Sequence, residues 1–209
     1  MRTAGSAMIA LMSSESPRIP PGQYVPRGWP VLHYGSVPKF RPERWDLRIS
    51  GAVAREQVFD WAEFNALPTV TVQADFHCVT KFTTLDNVWT GVSTRTLLDL
   101  MPPAPATSNV LVWGEYGYSA NMRLSDFANA DALFATHHNG EPLTPDHGYP
   151  LRLVVPHLYA WKGPKWVRGV EYLTSDRRGF WEERGYHNRA DPWTEQRFSY
   201  QEAPDDGPQ

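Results

Sequence analysis

Cys78 is the only cysteine in this chain of 209 residues, so its thiol cannot form a disulfide within the chain. It closes the strand-like run 70–78, and a polar segment that includes Lys81 follows. Period-two alternation places one set of side chains on a common face: Val70, Val72, Ala74, Phe76 and Cys78. Cys78 is therefore either a small apolar core residue or a reactive thiolate at a strand end beside a cation.

A reactive Cys78 could act as a metal ligand or as a nucleophile. Thiolates are soft ligands for transition metals, but the sequence has no Cys-x-x-Cys pair, and His137-His138 lacks the spacing of a zinc motif. A metal at this single thiolate would need its other ligands from a prosthetic group. A cysteine-dependent hydrolase is the other alternative, although the alternation turns the neighbouring His77 to the opposite face.

The composition favours one globular domain. A formal net charge of −3 implies no broad basic field, which argues against a nucleic-acid partner. Nine Trp and nineteen Pro indicate a β-rich body with many fixed loops. We expect a disordered leader over residues 1–20, a domain over 21–200 and a disordered tail over 201–209. Without a recognisable export signal, a disulfide framework or a membrane span, the predicted location is the cytoplasm.

The elements that position Cys78 are mostly short strands. Strands are predicted at 46–50, 70–78, 109–114, 118–124, 151–158 and 166–173. Capping signals at Asp60 and Ser93 predict helices over 61–67 and 94–101, and a third helix is expected over 126–133. Many short strands with few short helices predict a single mixed, β-rich α+β domain.

Three blocks of the sequence carry a resemblance to a known family. They read DFHCVTKFTTLDNVWTGV from Asp75, NGEPLTPDHGYPLRLVVP from Asn139 and WKGPKWV from Trp161. In this order and spacing they resemble the sulfite-oxidase-type molybdopterin-binding domain, whose family includes the catalytic subunit of bacterial methionine sulfoxide reductase. The resemblance covers roughly residues 28–200. It implies an α+β fold around one molybdenum–molybdopterin cofactor.

The resemblance also implies a role for individual residues. Cys78 occupies the position of the thiolate that binds molybdenum, the remaining ligands coming from the pterin dithiolene and oxo groups. Four residues match positions that contact the pterin or its phosphate: His147, Arg152, Lys162 and Lys165. His33 and Tyr34 match a segment at the pterin and the active-site mouth. Tyr186 matches a tyrosine that faces the metal and could relay a proton, although packing of its loop explains it equally.

The sequence departs from true sulfite oxidases at the mouth. They have a substrate-binding arginine near the position of His33, and an acidic residue where this chain has Gly185. The loss of that charge favours reduction of an S- or N-oxide over oxidation of sulfite, a small dianion. We recognise neither a haem domain nor a dimerisation domain, so we expect a small-molecule substrate and a separate electron-transfer protein. The alternative function is a non-catalytic molybdopterin-binding or carrier protein.

Overall fold

The computed structural model describes residues 18–207. Its strands are β1 (Asp46–Gly51), β2 (Gln57–Asp60), β3 (Val70–His77), β4 (Thr83–Ser93), β5 (Asn109–Gly114), β6 (Ser119–Arg123), β7 (Leu133–His138), β8 (Glu141–Pro142), β9 (Arg152–Val154) and β10 (Val167–Leu173). Its α-helices are α1 (Trp61–Asn65), α2 (Thr94–Leu100) and α3 (Leu124–Phe127). This mixed, β-rich content confirms the predicted α+β class.

The strands form two sheets. The first has the order β2-β1-β10-β5-β6, in which only β1 and β10 run parallel. The second has the order β3-β4-β7-β8, with β9 also paired to β7, and all of its pairs are antiparallel. Buried residues from both sheets share one apolar core, which includes Ile49, Val170, Val92, Phe134 and Leu153. The two sheets therefore pack against each other through this core.

Capping chemistry explains the two predicted helices. The Asp60 carboxylate accepts from the backbone N–H of Glu63 at 2.8 Å, and the Glu63 carboxylate accepts from the backbone N–H of Asp60 at 2.9 Å. This reciprocal capping box starts α1. The Ser93 hydroxyl accepts from the backbone N–H of Arg95 at the start of α2. Both helices end within two residues of the predicted positions.

Two predicted elements are wrong in extent. The helix expected over 126–133 is only the four-residue α3, and β7 begins at Leu133 because its backbone pairs with β4 and β9. The strand expected over 151–158 is limited to β9. A turn closed by the Leu158 N–H and the Val155 carbonyl follows β9, and Pro156 within that turn has no N–H to donate to a sheet.

Strands β3 and β4 form the hairpin that carries Cys78. The Cys78 N–H donates to the Phe82 carbonyl at 2.8 Å, and the Lys81 N–H donates to the Cys78 carbonyl at 3.0 Å. Cys78 packs with Phe76, Ala74 and Val72 in a second apolar cluster on the second sheet, which confirms the predicted alternation for these four residues. Val70, at the start of β3, is exposed.

The predicted domain limits at residues 20 and 200 stay predictions. Most of the expected leader lies outside the described residues, but Arg18 bonds the carboxylates of Asp75 and Asp86. At the other end residues 201–207 continue along the body, and Asp206 is buried. Among residues 18–207, no helix has the length and apolar character that a membrane span requires.

Candidate active site

A cavity of about 250 Å³ opens beside the β3–β4 hairpin. Its walls come from the segment before β1, the hairpin turn, the loops on either side of β9 and the loop after β10. Seven of the eight predicted site residues line it: His33, Tyr34, Cys78, His147, Arg152, Lys165 and Tyr186. Residues separated by up to 153 positions in the chain therefore meet at one site.

Cys78 lies at the cavity wall with its side chain mostly buried. Its Sγ is 3.2 Å from the Thr80 hydroxyl, which can donate to it. Burial raises the pKa of the thiol, while Thr80, Arg152 and Arg197 act in the opposite direction. Lys81, which we expected to favour the thiolate, is exposed on the hairpin turn. That expectation is wrong, because solvent screens an exposed ammonium; the cations that act on the thiol are the two buried arginines.

Arg152 is a buried cation held in place at the start of β9. One guanidinium nitrogen donates to the His147 carbonyl at 3.0 Å, and the guanidinium lies 5.0 Å from the Phe76 ring centroid and 5.3 Å from that of Trp29. Burial lowers its pKa to about 10, so it stays charged at neutral pH. Its Nε is buried without a hydrogen-bond partner among the described residues. Such a group is suited to an anionic oxygen.

His147 and Lys165 complete the polar part of the cavity. The His147 ring stacks on Trp29 with centroids 3.7 Å apart, and its Nδ1 is buried without a partner in residues 18–207. Burial, followed by Arg152 and Lys165, lowers the pKa of His147 to about 4. Lys165 donates to the Asp146 carbonyl at 2.6 Å. Burial and then Arg152 lower the pKa of Lys165 to about 7. An anion between these groups would favour their charged forms.

Lys162 is the predicted cofactor residue that the structure does not bring to the cavity. Its ammonium is fully buried, lies 2.7 Å from the Glu182 carboxylate and donates to the Asn121 and Asn188 carbonyls. Lys162 and Lys165 are only three residues apart, but the 3₁₀ turn Ala160–Lys162 directs the first into the protein. The predicted contact of Lys162 with the pterin is therefore wrong. Its ammonium binds groups inside the protein and has a structural role.

The mouth residues form an aromatic rim. His33 is exposed, hydrogen-bonds the Gly35 carbonyl through Nδ1 and contacts Trp166 edge-on at 5.2 Å. Tyr34 packs against Phe180 at 4.4 Å. Tyr186 contacts Trp161 at 5.2 Å and Trp181 at 5.1 Å. Tyr186 therefore both packs its loop and lines the cavity, so the two interpretations of this residue are compatible.

Sequence reasoning missed three residues of the site. Trp29 lines the cavity and stacks on His147. Tyr118 also lines the cavity, and its hydroxyl donates to the Trp161 carbonyl at 2.6 Å. Arg197 is buried near Cys78 and donates to the Val79 carbonyl. The aromatic character of residues 17–45 indicates that Trp29 is fixed to the body, but no local pattern marks Tyr118 or Arg197.

The cavity fits the predicted molybdenum–pterin group in its donor chemistry. It offers one soft sulfur for a metal and, beside Lys165, a buried N–H of Arg152 for a phosphate. It also offers a His147 nitrogen on an aromatic surface; neither nitrogen has a hydrogen-bond partner among residues 18–207. A buried guanidinium with an unsatisfied N–H costs free energy unless an acceptor reaches it. An anionic, partly aromatic ligand would satisfy these atoms together.

Comparison with known proteins agrees with this chemistry. A family model described as the oxidoreductase molybdopterin binding domain matches residues 34–181. The uncharacterized oxidoreductase YuiH of Bacillus subtilis (strain 168) is 42% identical over 189 residues, which are 90% of this chain and 96% of that protein.

More distant relatives are larger than this chain. Inducible NADH nitrate reductase 2 of Glycine max is 25% identical over 183 residues, or 72% of this chain and 21% of that enzyme. The crystal structure of the sulfane dehydrogenase SoxCD from Paracoccus pantotrophus superposes with a TM-score of 0.65 and 22% identity over 78% of this chain and 48% of that chain, a likeness of fold. From the family match and the identity to YuiH, we conclude that the chain belongs to the sulfite-oxidase-type molybdopterin-binding oxidoreductases and uses a molybdenum–molybdopterin cofactor.

Proposed function

We propose that this oxidoreductase transfers an oxygen atom to or from a small substrate, and that it reduces an S- or N-oxide in preference to oxidising sulfite. The observation that carries the proposal is the shared cavity of Cys78, Arg152 and Lys165, whose mouth has His33 and an aromatic rim. Arg152 and Lys165 lie among the groups suited to the cofactor. Among residues 18–207, Arg152 is the only arginine that lines the cavity, so no further guanidinium there is available to a dianionic substrate such as sulfite.

Each polar residue of the cavity has a proposed task. Cys78 would bind the metal as a thiolate, and the buried Arg152 and Arg197 would help its thiol lose the proton. Arg152 and Lys165 would hold the phosphate, and His147 would bind the pterin. When bound, the cofactor supplies two-electron redox chemistry coupled to oxygen transfer. The pKa of Cys78 would fall on metal binding, because a metal stabilises the thiolate.

The rim residues would bind and orient the substrate. Trp161, Trp166 and Trp181 line the cavity and would offer the substrate an apolar surface. Reduction of an S- or N-oxide takes two electrons and two protons and releases water. Tyr186, which contacts Trp161 and Trp181, could supply one of these protons. His33 could orient a polar substrate group at the entrance. This arrangement favours a neutral organic oxide over a small, strongly hydrated dianion.

An electron-transfer protein is the proposed redox partner. Oxygen transfer moves two electrons to or from the substrate, so the cofactor must exchange electrons with a second molecule before the next turnover. The plant relative is named as an NADH enzyme, but this chain spans only 21% of its length. We propose that a separate protein serves as this donor or acceptor. We also propose a cytoplasmic location, which cell fractionation would check.

A dye assay on protein from a molybdate-supplied host tests the function. Reduced benzyl viologen is offered with dimethyl sulfoxide, trimethylamine N-oxide or nitrate, and ferricyanide is offered with sulfite. We expect the organic oxides to reoxidise viologen faster than sulfite reduces ferricyanide. Turnover of sulfite alone would contradict the proposed direction. Molybdenum-loaded protein that is inactive with every pair would favour the carrier function instead.

A further inference from the structure

A buried ion pair lies directly behind the cavity wall. Lys162 Nζ is 2.7 Å from Glu182 Oε1, and both side chains are almost completely inaccessible to solvent. Burying two charges costs free energy that their mutual attraction offsets only with good geometry, and an apolar pair of similar volume is often at least as stable. Stability of the fold is therefore a weak explanation for this pair.

The hydrogen bonds of the pair lead to the cavity. Glu182 Oε1 also accepts the indole N–H of Trp161 at 2.9 Å. The Trp161 ring lines the cavity, and its backbone carbonyl accepts the hydroxyl of Tyr118, another lining residue. Lys162 follows Trp161 in the same 3₁₀ turn. One carboxylate thus fixes both the ring and the turn that carries it.

Glu182 also belongs to the segment that carries Trp181 and Tyr186, the aromatic residues that lie next to Trp161. Trp181 immediately precedes Glu182, and the Tyr186 N–H donates to the Trp181 carbonyl at 3.1 Å. Tyr186 contacts the rings of both Trp161 and Trp181. Glu182 therefore links residues 160–162 to residues 181–186, the two segments whose aromatic side chains form this wall.

We propose that Lys162 and Glu182 are positioning residues, which fix the Trp161 indole and so set the position of Tyr118 and Tyr186 for the substrate. The effect on a substrate rests on the proposed function. The position of the Trp161 indole does not, because it depends only on contacts within the protein. Neither Lys162 nor Glu182 lines the cavity. Their effect on substrate passes through Trp161.

Two double variants separate positioning from stability. Lys162→Met with Glu182→Leu removes both charges and leaves the Trp161 N–H without its acceptor. Lys162→Met with Glu182→Gln also removes both charges but keeps an amide oxygen as a weaker acceptor. The matched control is Glu171→Gln with Arg177→Met, which breaks a more exposed ion pair whose residues do not line the cavity.

The first readout is the indole N–H resonance of Trp161, assigned by its absence in Trp161→Phe, in protein prepared without cofactor. We expect slow solvent exchange in the parent and control, exchange about tenfold faster in the Gln variant, and faster still in the Leu variant. Parent-like exchange in the Leu variant would overturn the proposal. If that variant does not fold, parent-like exchange in the Gln variant would overturn the role of Lys162 and of the carboxylate charge, because a neutral amide would then hold the indole equally well.

The second readout uses molybdenum-loaded protein and the best substrate of the dye assay. At equal molybdenum content, we expect the Leu variant to lose about ten- to hundredfold in kcat/KM, and the control to keep the parent value. A Leu variant within about twofold of the parent would overturn the positioning role. If the parent turns over no substrate, the proposed function fails. The exchange measurement still tests whether Lys162 and Glu182 fix the Trp161 indole.

Discussion

The single thiol has an environment that suits metal binding better than catalysis as a free nucleophile. Burial raises the pKa of Cys78, and the adjacent His77 is directed to the Thr83 hydroxyl, 3.0 Å away. A cysteine nucleophile needs a depressed pKa or a nearby base. These two observations leave the hydrolase alternative without support, whereas a metal ion would itself displace the proton of the thiol.

Replacement of Cys78 by Ser tests its role as a ligand. Serine keeps nearly the same size but is a poor soft donor, so we expect bound molybdenum per chain to fall at least about tenfold while the fold is retained. Elemental analysis after gel filtration measures this. Thr80→Val is the control, since it removes only the hydroxyl near the thiol. Equal molybdenum together with an unchanged metal absorption spectrum in Cys78→Ser would exclude Cys78 as the metal ligand, because the pterin dithiolene alone could retain the metal.

Arg152 tests phosphate binding through the shape of its guanidinium. Arg152→Lys keeps the charge but loses the planar fork, so we expect about tenfold weaker retention of the pterin. The pterin released on denaturation can be measured by fluorescence. The exposed Arg177 gives the matched control Arg177→Lys, which should retain pterin like the parent. A similar loss in both variants would show that the effect is not local to the cavity.

His147 gives a pH dependence to the stability of the protein without cofactor. Its folded pKa is about 4, below the ordinary value of 6.5, so between these values the unfolded chain binds a proton that the folded chain does not. Stability should therefore fall as pH decreases from about 6.5 to about 4. His147→Gln should reduce this slope in urea unfolding, with the exposed His33→Gln as control. An unchanged slope in His147→Gln would contradict the assignment.

At the scale of elements, the hairpin turn after β3 holds the thiol at the cavity by main-chain geometry. Lys81 has a φ of 76°, a left-handed conformation that strains residues other than glycine. Its side chain is exposed and faces no carboxylate within salt-bridge distance among the described residues. The turn therefore needs the conformation at this position and does not need the charge.

Lys81→Gly should relieve the strain of this turn. We expect the free energy of unfolding to rise by up to about 1 kcal/mol, because glycine adopts positive φ without a steric penalty. Lys81→Ala is the matched variant: it removes the charge and keeps the strain, so its stability should stay near that of the parent. Urea unfolding measures both. If Lys81→Ala lost molybdenum, the charge of Lys81 would have a role at the site after all.

At the scale of the whole molecule, the cavity joins segments from most of the chain. The segment near Trp29, the β3–β4 hairpin, the loops around β9 and the residues after β10 all contribute side chains. A ligand that contacts all of them binds only the folded chain. Its binding free energy therefore adds to the stability of the fold.

Loading with cofactor should raise the melting temperature. At about a thousand times the dissociation constant, a ligand adds about 4 kcal/mol, which corresponds to roughly 8–16 °C for a chain of this size. Calorimetry would compare protein from a molybdate-supplied host with protein from a host unable to make the pterin. Equal melting temperatures at full molybdenum occupancy would argue against a ligand enclosed by these segments.

Local patterns in the sequence were sufficient for many elements and for the chemistry of the site. Alternation placed Cys78 on an apolar face, and caps at Asp60 and Ser93 marked two helices, because these signals depend on neighbours within a few residues. The three sequence blocks, whose order and spacing resemble a known family, indicated the cofactor. Seven of the eight predicted site residues line one cavity. Their individual roles stay predictions.

Tertiary structure decided what depends on contacts between distant segments. Backbone pairing with β4 and β9 makes residues 133–138 a strand, and no pattern within those residues identifies its partners. Lys165 reaches the cavity while Lys162, three residues earlier, pairs with Glu182 inside the protein. The sequence by itself determined which residue types were available for an anionic, metal-bearing cofactor. Packing between distant segments determined which of those charges face the cavity, because burial and pairing are properties of the assembled fold.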